Sequence, residues 1–406
     1  MSVALRSGSH APLIHSEAGL LEIALYDSVT RLATGEKNRL LNRFFAPVRL
    51  AVFVAIVLTS NACARTESDF QVRYLDSPPR PEDIVQSADG GPVFVSALST
   101  SPADNRAGIY ILDRQRGTPI ETVLYWSPEA ATQTFAPSSC GLTTPARLAP
   151  HGIAIGSFAS DTEHLLVIAH APVEAVLVFD IQQDDGNITL TENTCLALPQ
   201  GVFANAVTAL GPNGLAVTKM FNPQEGDPFE RFSKQQDTGS ILTWFPATGW
   251  QDHKQLRLSG PNGLLWEEET NSLIVAEWAR HQIMRIPAGE TDGDLGDAQI
   301  LTKLSYMPDN LRWSRDGDIL VTGQGSSIGE GHACIAGEAE CPTGFEITWI
   351  DPVVGTIRQV ASIASSDFGM ASVAAEVDDR IWVGSVSGNQ IAEVIVIHPQ
   401  ISGSEK

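Results

Sequence analysis

Six times after residue 65 the chain repeats one local pattern: a small or polar pair, a short strand with alternating apolar residues, a turn, and a second apolar strand. The segments are "RPEDIVQSADGGPVFVSA" from Arg80, "APHGIAIGSFASDTEHLLVIAH" from Ala149, "FANAVTALGPNGLAVTK" from Phe203, "GPNGLLWEEETNSLIVAEW" from Gly260, "MPDNLRWSRDGDILVTG" from Met307 and "GMASVAAEVDDRIWVGS" from Gly369. With Glu82, His151, Asn205, Asn262, Asn310 and Met370 as markers, the intervals run from 48 to 69 residues. A repeat of that length, made of short strands with Gly and Asp turns, predicts an all-β chain: a six-bladed β-propeller with four-stranded blades. Helical periodicity is weak here, because apolar residues alternate instead of recurring every three or four. The competing architecture is a β-sandwich with accidental spacing, which six matches in six disfavour.

In a propeller the innermost strand of each blade lines the central channel. Residues at its start therefore gather at one mouth, however far apart they lie in sequence. Five blades begin with Glu82, His151, Asn205, Asn262 and the pair Asp309 and Asn310; the sixth offers the apolar Met370. Two carboxylates and three amides are hard oxygen donors, which suit Ca²⁺ with its six to eight ligands at about 2.3–2.6 Å. Zinc would want more imidazole or thiolate. Any one of these residues could simply cap its own turn; equivalence across five blades favours the metal.

His151 sits beside this ring, and His170 ends the next strand of the same blade, so paired strands can bring the two imidazoles together. A histidine titrating near neutrality is a candidate general base; a buried histidine bonded to a carbonyl is the alternative. His164, His253, His281, His332 and His398 lack such context and are expected at the surface or in turns. No G-x-S-x-G elbow and no phosphate-cradling loop occurs, which argues against a common serine hydrolase or a nucleotide site.

The formal charge is −22, from 26 Lys and Arg against 48 Asp and Glu. Charge-driven binding to nucleic acid or an anionic membrane is thereby excluded. The first 64 residues differ: a basic stretch, "KNRLLNRFFAPVR", precedes the apolar run "LAVFVAIVL" and then "TSNACA". That order is the order of a secretory signal, with Ala62-Cys63-Ala64 as a cleavage pattern. Lipid attachment at Cys63 and an uncleaved anchor are the alternatives. Residues 1–64 are thus expected to be an extension with a signal, and 65–406 the propeller. The expected location is exported, periplasmic or secreted, with any membrane contact confined to the N-terminus. Beyond Cys63 four cysteines remain. Cys334 and Cys341 frame a loop that a disulfide could close, and Cys140 with Cys195 follows by elimination; neither spacing resembles a zinc site.

The pieces "PEDI", "PHGI", "LLVIAHAP", "NAVTALGP", "PNGL", "IVAEWARHQI", "PDNLRW" and "ASVAAEVDDRIWVGS" run in order from about residue 75 to 395. In this order they resemble the paraoxonase/arylesterase family of calcium-dependent six-bladed propellers. The resemblance implies a catalytic Ca²⁺ held by Glu82, Asn205, Asn262, Asp309 and Asn310, a histidine dyad at His151 and His170, and esterase and lactonase activity. A second, structural calcium would use Asp83, the backbone carbonyl of Ile153 and an Asp after the third-blade Asn. Here that last position is Ala206, so one calcium per chain is expected. The disulfide that joins the chain ends in animal members has no counterpart. Gluconolactonase-type propellers share the Glu and Asn ligand logic but usually lack the paired histidines.

The expectation is therefore a hydrolase of small-molecule carboxylic esters or lactones. The cation polarises the carbonyl and stabilises the oxyanion, water attacks, and His151 takes its proton with His170 orienting it. Glu82 or Asp309 is the alternative base or nucleophile. A gluconolactonase-like enzyme for sugar lactones and a non-catalytic propeller scaffold are the rival functions.

Overall fold

The computed structural model describes residues 69–397, apart from 88–89, 99–105, 115–118, 124, 127–139, 142–145, 159–161, 185–186 and 290. The N-terminal extension and its signal lie outside the described residues, as does His398. Six four-stranded antiparallel sheets make up the fold, with one two-stranded pair between the first and second. The inner strands are Pro81–Gln86, Pro150–Ser157, Phe203–Ala209, Pro261–Glu267, Met307–Trp313 and Ala371–Val377, for blades 1 to 6. Each touches the inner strand of the next blade, and the sixth touches the first, so the ring closes. A channel cavity of about 390 Å³ is lined by Val85, Ala154, Thr208, Leu264, Arg312 and Ala375, one from each inner strand. The six-bladed propeller is the architecture that the repeat predicts.

The apolar runs are explained by blades packing on both sides. In the strand Glu163–Ala169, Leu165, Val167 and Ala169 pack toward blade 1 with Phe94, Ile109 and Ile111. Leu166 and Ile168 point the other way, toward Val207, Leu215 and Val217 of blade 3. Alternate side chains go to opposite faces of a strand, so a strand between two blades is apolar at every position. A comparable cluster fills each of the six gaps between blades.

Every inner strand also carries a bulge near its start. The ladder skips Glu82 in blade 1, His151 and Gly152 in blade 2, Asn205 and Ala206 in blade 3. It skips Asn262 and Gly263 in blade 4, Asp309 and Asn310 in blade 5, and Ser372 in blade 6. A bulge frees residues from the ladder and re-aims their side chains, which is why these strands open on polar pairs. The sixth equivalent is therefore Ser372, not Met370; its hydroxyl donates to the Glu82 carbonyl at 2.6 Å. Two skipped positions are glycine for a packing reason. A Cβ on Gly152 would lie 2.2 Å from the Asn205 carbonyl oxygen, and one on Gly263 2.5 Å from that of Asp309.

Blade 6 is completed from the other end of the chain. Its outer strand is Asp69–Asp76, paired antiparallel with Gln390–Ile397. Glu393 latches the two: its carboxylate, with no exposed surface, takes Arg73, Arg380 Nη1 at 3.0 Å and the Trp382 indole N–H at 3.3 Å. Burial alone would push the Glu393 carboxyl up, but the two guanidiniums outweigh it and hold it below the usual range. Its contribution is thus present at neutral pH and is lost as pH falls through that depressed value. Glu393→Ala is expected to cost about 3 kcal/mol, the lower end for breaking a buried ion pair, because both arginines are partly exposed. Denaturant unfolding checks this; an unchanged midpoint would show that the latch is not ionic.

Both expected disulfides are present, Cys140–Cys195 and Cys334–Cys341, with Cα separations of 5.9 and 4.7 Å. Among the described residues two short α-helices interrupt the β pattern: α1, Pro228–Ser233, and α2, Ile328–Ile335, the latter opened by a capping box of Ser327 and Glu330. Among the described residues no helix is long and apolar enough to cross a membrane.

Candidate metal centre and histidine pair

The bulges of five blades meet in one connected set. Asn310 Nδ2 of blade 5 donates to Glu82 Oε1 of blade 1 at 2.7 Å. His151 Nε2 of blade 2 lies 3.6 Å from the same oxygen and 3.3 Å from Asn205 Nδ2 of blade 3. The Asn262 side chain of blade 4 is hydrogen-bonded to Asp309 of blade 5. All five oxygen-bearing side chains expected at the metal are buried, none more than 4% exposed.

Each amide ties its NH₂ to a neighbour and leaves its oxygen free. Asn205 Oδ1, Asn262 Oδ1, Asn310 Oδ1 and Glu82 Oε2 have no hydrogen-bond partner in the protein. Leaving one buried polar atom unpaired costs about 1–3 kcal/mol, so four in one ring is a donor set awaiting an electrophile. Hard, uncharged oxygens with two carboxylates fit Ca²⁺. Among the described residues no group of three or more His, Cys, Asp and Glu has metal-holding spacing; a ring rich in amides is a different donor set. Burial, with Asp83 and Asp309 nearby, pushes Glu82 well above the usual carboxylate range. Burial likewise pushes Asp309 up to about 7 against the pull of its Gln324 and Asn262 hydrogen bonds. A cation in the ring opposes both effects.

The second calcium does not fit. Asp83 and the Ile153 carbonyl, which the resemblance gives to it, are held by Arg312. The guanidinium pairs with the Asp83 carboxylate and donates to Ile153 O at 2.9 Å, Ile84 O at 2.8 Å and Leu311 O at 2.7 Å. Asp83 also accepts from the N–H groups of Ile153 at 2.8 Å and Ile84 at 2.9 Å. A fixed cation on blade 5 thus pins blades 1 and 2 across the channel. Arg312→Met is expected to destabilise the fold by about 3–5 kcal/mol, because it strands a buried carboxylate. A melting temperature equal to that of the unsubstituted protein would contradict this.

The two histidines do meet. His151 Nδ1 lies 2.8 Å from His170 Nε2. His170 stacks on Phe203 with centroids 4.2 Å apart, and Phe203 on Phe221 at 4.5 Å. Burial, helped by His170, pushes the His151 pKa well below its usual value. Of the histidines set aside by sequence, His164 and His253 are buried rather than exposed. His164 pairs with Asp180, and His253 with Thr243.

Sequence reasoning missed two neighbours of the site. Gln324 Nε2 donates to Asp309 Oδ2 at 2.7 Å, and its oxygen accepts from the Trp278 indole at 2.7 Å. Glu174 sits 3.0 Å from His170 Nδ1 with both carboxylate oxygens. The signal for Glu174 was its place four residues after His170, in the short link between two strands of blade 2. Trp278 belongs to a buried apolar cluster with Phe232, Ala279 and Met307, against which Met220 and Phe221 pack. A cavity of about 710 Å³ adjoins blade 5 at Gln324 and Met370 but touches neither histidine.

No family model matches the chain, and neither does any curated protein. Among solved structures it is similar to a luciferin-regenerating enzyme, at 11% identity over 81% of this chain and 96% of that one, with a TM-score of 0.52. It is also similar to a gluconolactonase from Xanthomonas campestris, at 15% identity over 82% of this chain and 93% of that one, with a TM-score of 0.50. At such identities the likeness is one of fold.

Proposed function

We propose that the protein is a calcium-dependent hydrolase of carboxylic esters or lactones. The observation that carries this reading is the set of four unpartnered buried oxygens, on Glu82, Asn205, Asn262 and Asn310, beside an imidazole. These four residues and Asp309 would hold Ca²⁺, which when bound would supply a Lewis acid for the substrate carbonyl oxygen. His151 does the proton work. Burial keeps its imidazole neutral at pH 7, so it accepts a proton from water as the water oxygen attacks the carbonyl carbon. It then returns that proton to the departing alkoxide, giving an alcohol and a carboxylic acid, or one hydroxy acid from a lactone, and the acid loses its remaining proton to solvent. His170 holds the imidazole in place through the 2.8 Å contact.

The two disulfides and the N-terminal signal pattern support an exported location. Turnover of phenyl acetate and a series of lactones, with calcium and with chelator, tests the proposal. Calcium-dependent hydrolysis is the expected result. No turnover of any ester or lactone at saturating calcium would leave the propeller as a binding scaffold.

A further inference from the structure

Glu174 stands in the link between the strand ending at Ala169 and the strand starting at Ala175. Its Oε1 accepts from the Ala204 N–H at 2.7 Å, the residue just before Asn205. Both its oxygens lie 3.0 Å from His170 Nδ1. A carboxylate offers acceptors and no donors, so the hydrogen in that contact belongs to His170 Nδ1. The consequence runs inward. With Nδ1 protonated, neutral His170 presents Nε2 as an acceptor, and the 2.8 Å contact to His151 Nδ1 takes its hydrogen from His151. A neutral His151 with its hydrogen on Nδ1 has a bare lone pair on Nε2. That atom faces Asn205 Nδ2 at 3.3 Å and Glu82 at 3.6 Å.

We infer that Glu174 is a positioning residue that sets the tautomers of both histidines and thereby makes His151 Nε2 an acceptor at the oxygen ring, where Asn205 Nδ2 lies 3.3 Å away. Its meaning for catalysis rests on the hydrolase proposed above; the tautomer assignment does not. The stack of His170 on Phe203 fixes the ring plane, and the backbone bond from His170 N to Ala149 O at 2.9 Å fixes its place in the blade. What remains to be chosen is which nitrogen carries hydrogen, and Glu174 makes that choice.

Glu174→Gln tests it. The amide oxygen can still accept from Ala204, while the new NH₂ can donate to His170 Nδ1. The amide oxygen that keeps Ala204 also lies within 3.0 Å of His170 Nδ1, so the glutamine admits the reversed relay beside the original one; in the reversed form His151 carries its hydrogen on Nε2, where it cannot act as a base. In the calcium-free full-length protein, ring ¹⁵N chemical shifts of labelled histidine should show His151 hydrogen on Nδ1 in the unsubstituted protein. They should show a share of it moved to Nε2 in Glu174→Gln. Where hydrolysis is measured, kcat should fall in step with the share of His151 carrying hydrogen on Nε2, with KM and melting temperature nearly unchanged. Glu174→Asp, which keeps an acceptor-only end, should retain the original tautomer and much of the rate. Hydrogen on His151 Nε2 in the unsubstituted protein overturns the inference, and so does a tautomer that Glu174→Gln leaves in place. If the glutamine variant fails to fold, the spectra of the unsubstituted protein and Glu174→Asp decide. A relay that reverses as stated in a protein with no ester or lactone turnover would sink the proposed hydrolase while leaving the relay standing.

Discussion

His151→Gln should lower kcat by about 10²–10⁴ on both an aryl ester and a lactone, the usual size of a general-base contribution. The side chain is 11% exposed and is held between His170 on one nitrogen and the Asn205 and Glu82 side chains on the other. Glutamine keeps much of the volume and one polar contact but has no basic nitrogen. Calcium affinity should stay nearly constant, since no oxygen donor is lost. His170→Gln should cost less, because an orienting partner is not the proton acceptor. Steady-state kinetics at saturating calcium check all of this. A full rate on both substrates would pass the base role to Glu82 or Asp309. Loss on one substrate only would mean that different residues serve the two reactions.

Removing calcium should abolish activity, and Asp309→Asn should come close to doing the same. Asp309 is 4% exposed and fixed by Gln324, which is itself fixed by Trp278. The asparagine variant removes one of two carboxylates from the ring, and ligand charge count is a main control of Ca²⁺ affinity. Affinity should drop by at least about tenfold, and the rate at limiting calcium should fall with it. Ligand binding also stabilises the fold by mass action, about 2.7 kcal/mol at a hundredfold excess over Kd. Chelator should therefore lower the melting temperature by a few degrees, and the shift should shrink in Asp309→Asn. Equal activity with and without chelator would remove the metal from the mechanism.

The ring was legible in the sequence because a propeller repeats its inner strand, and each repeat carries a bulge at the same place. The polar pair is the written trace of that bulge. Blade 6 was harder: its bulge residue is Ser372, a small side chain next to the more conspicuous Met370. The strand Asp69–Asp76 gave no sign that it closes the last blade, because its partner lies at the far end of the chain. Arg312 reads as an ordinary strand residue in "PDNLRW". Only the channel geometry shows that its guanidinium reaches Asp83 and Ile153 on two other blades. Glu174 reads as a turn residue, and Gln324 as the end of a strand. His164 and His253 looked like surface residues because their partners, Asp180 and Thr243, lie on neighbouring strands. For Arg312 and the strand Asp69–Asp76 the missing information was a contact between segments distant in sequence; for Glu174, Gln324, His164 and His253 it was which side chains of nearby segments face each other, and local pattern carries neither.

Calcium titration of the full-length, chelator-stripped protein by calorimetry tests the central claim most directly. One Ca²⁺ per chain is expected, with binding lost in a Glu82→Gln, Asp309→Asn double variant that keeps its fold. No binding to the unsubstituted protein, or undiminished binding to the double variant, would contradict it.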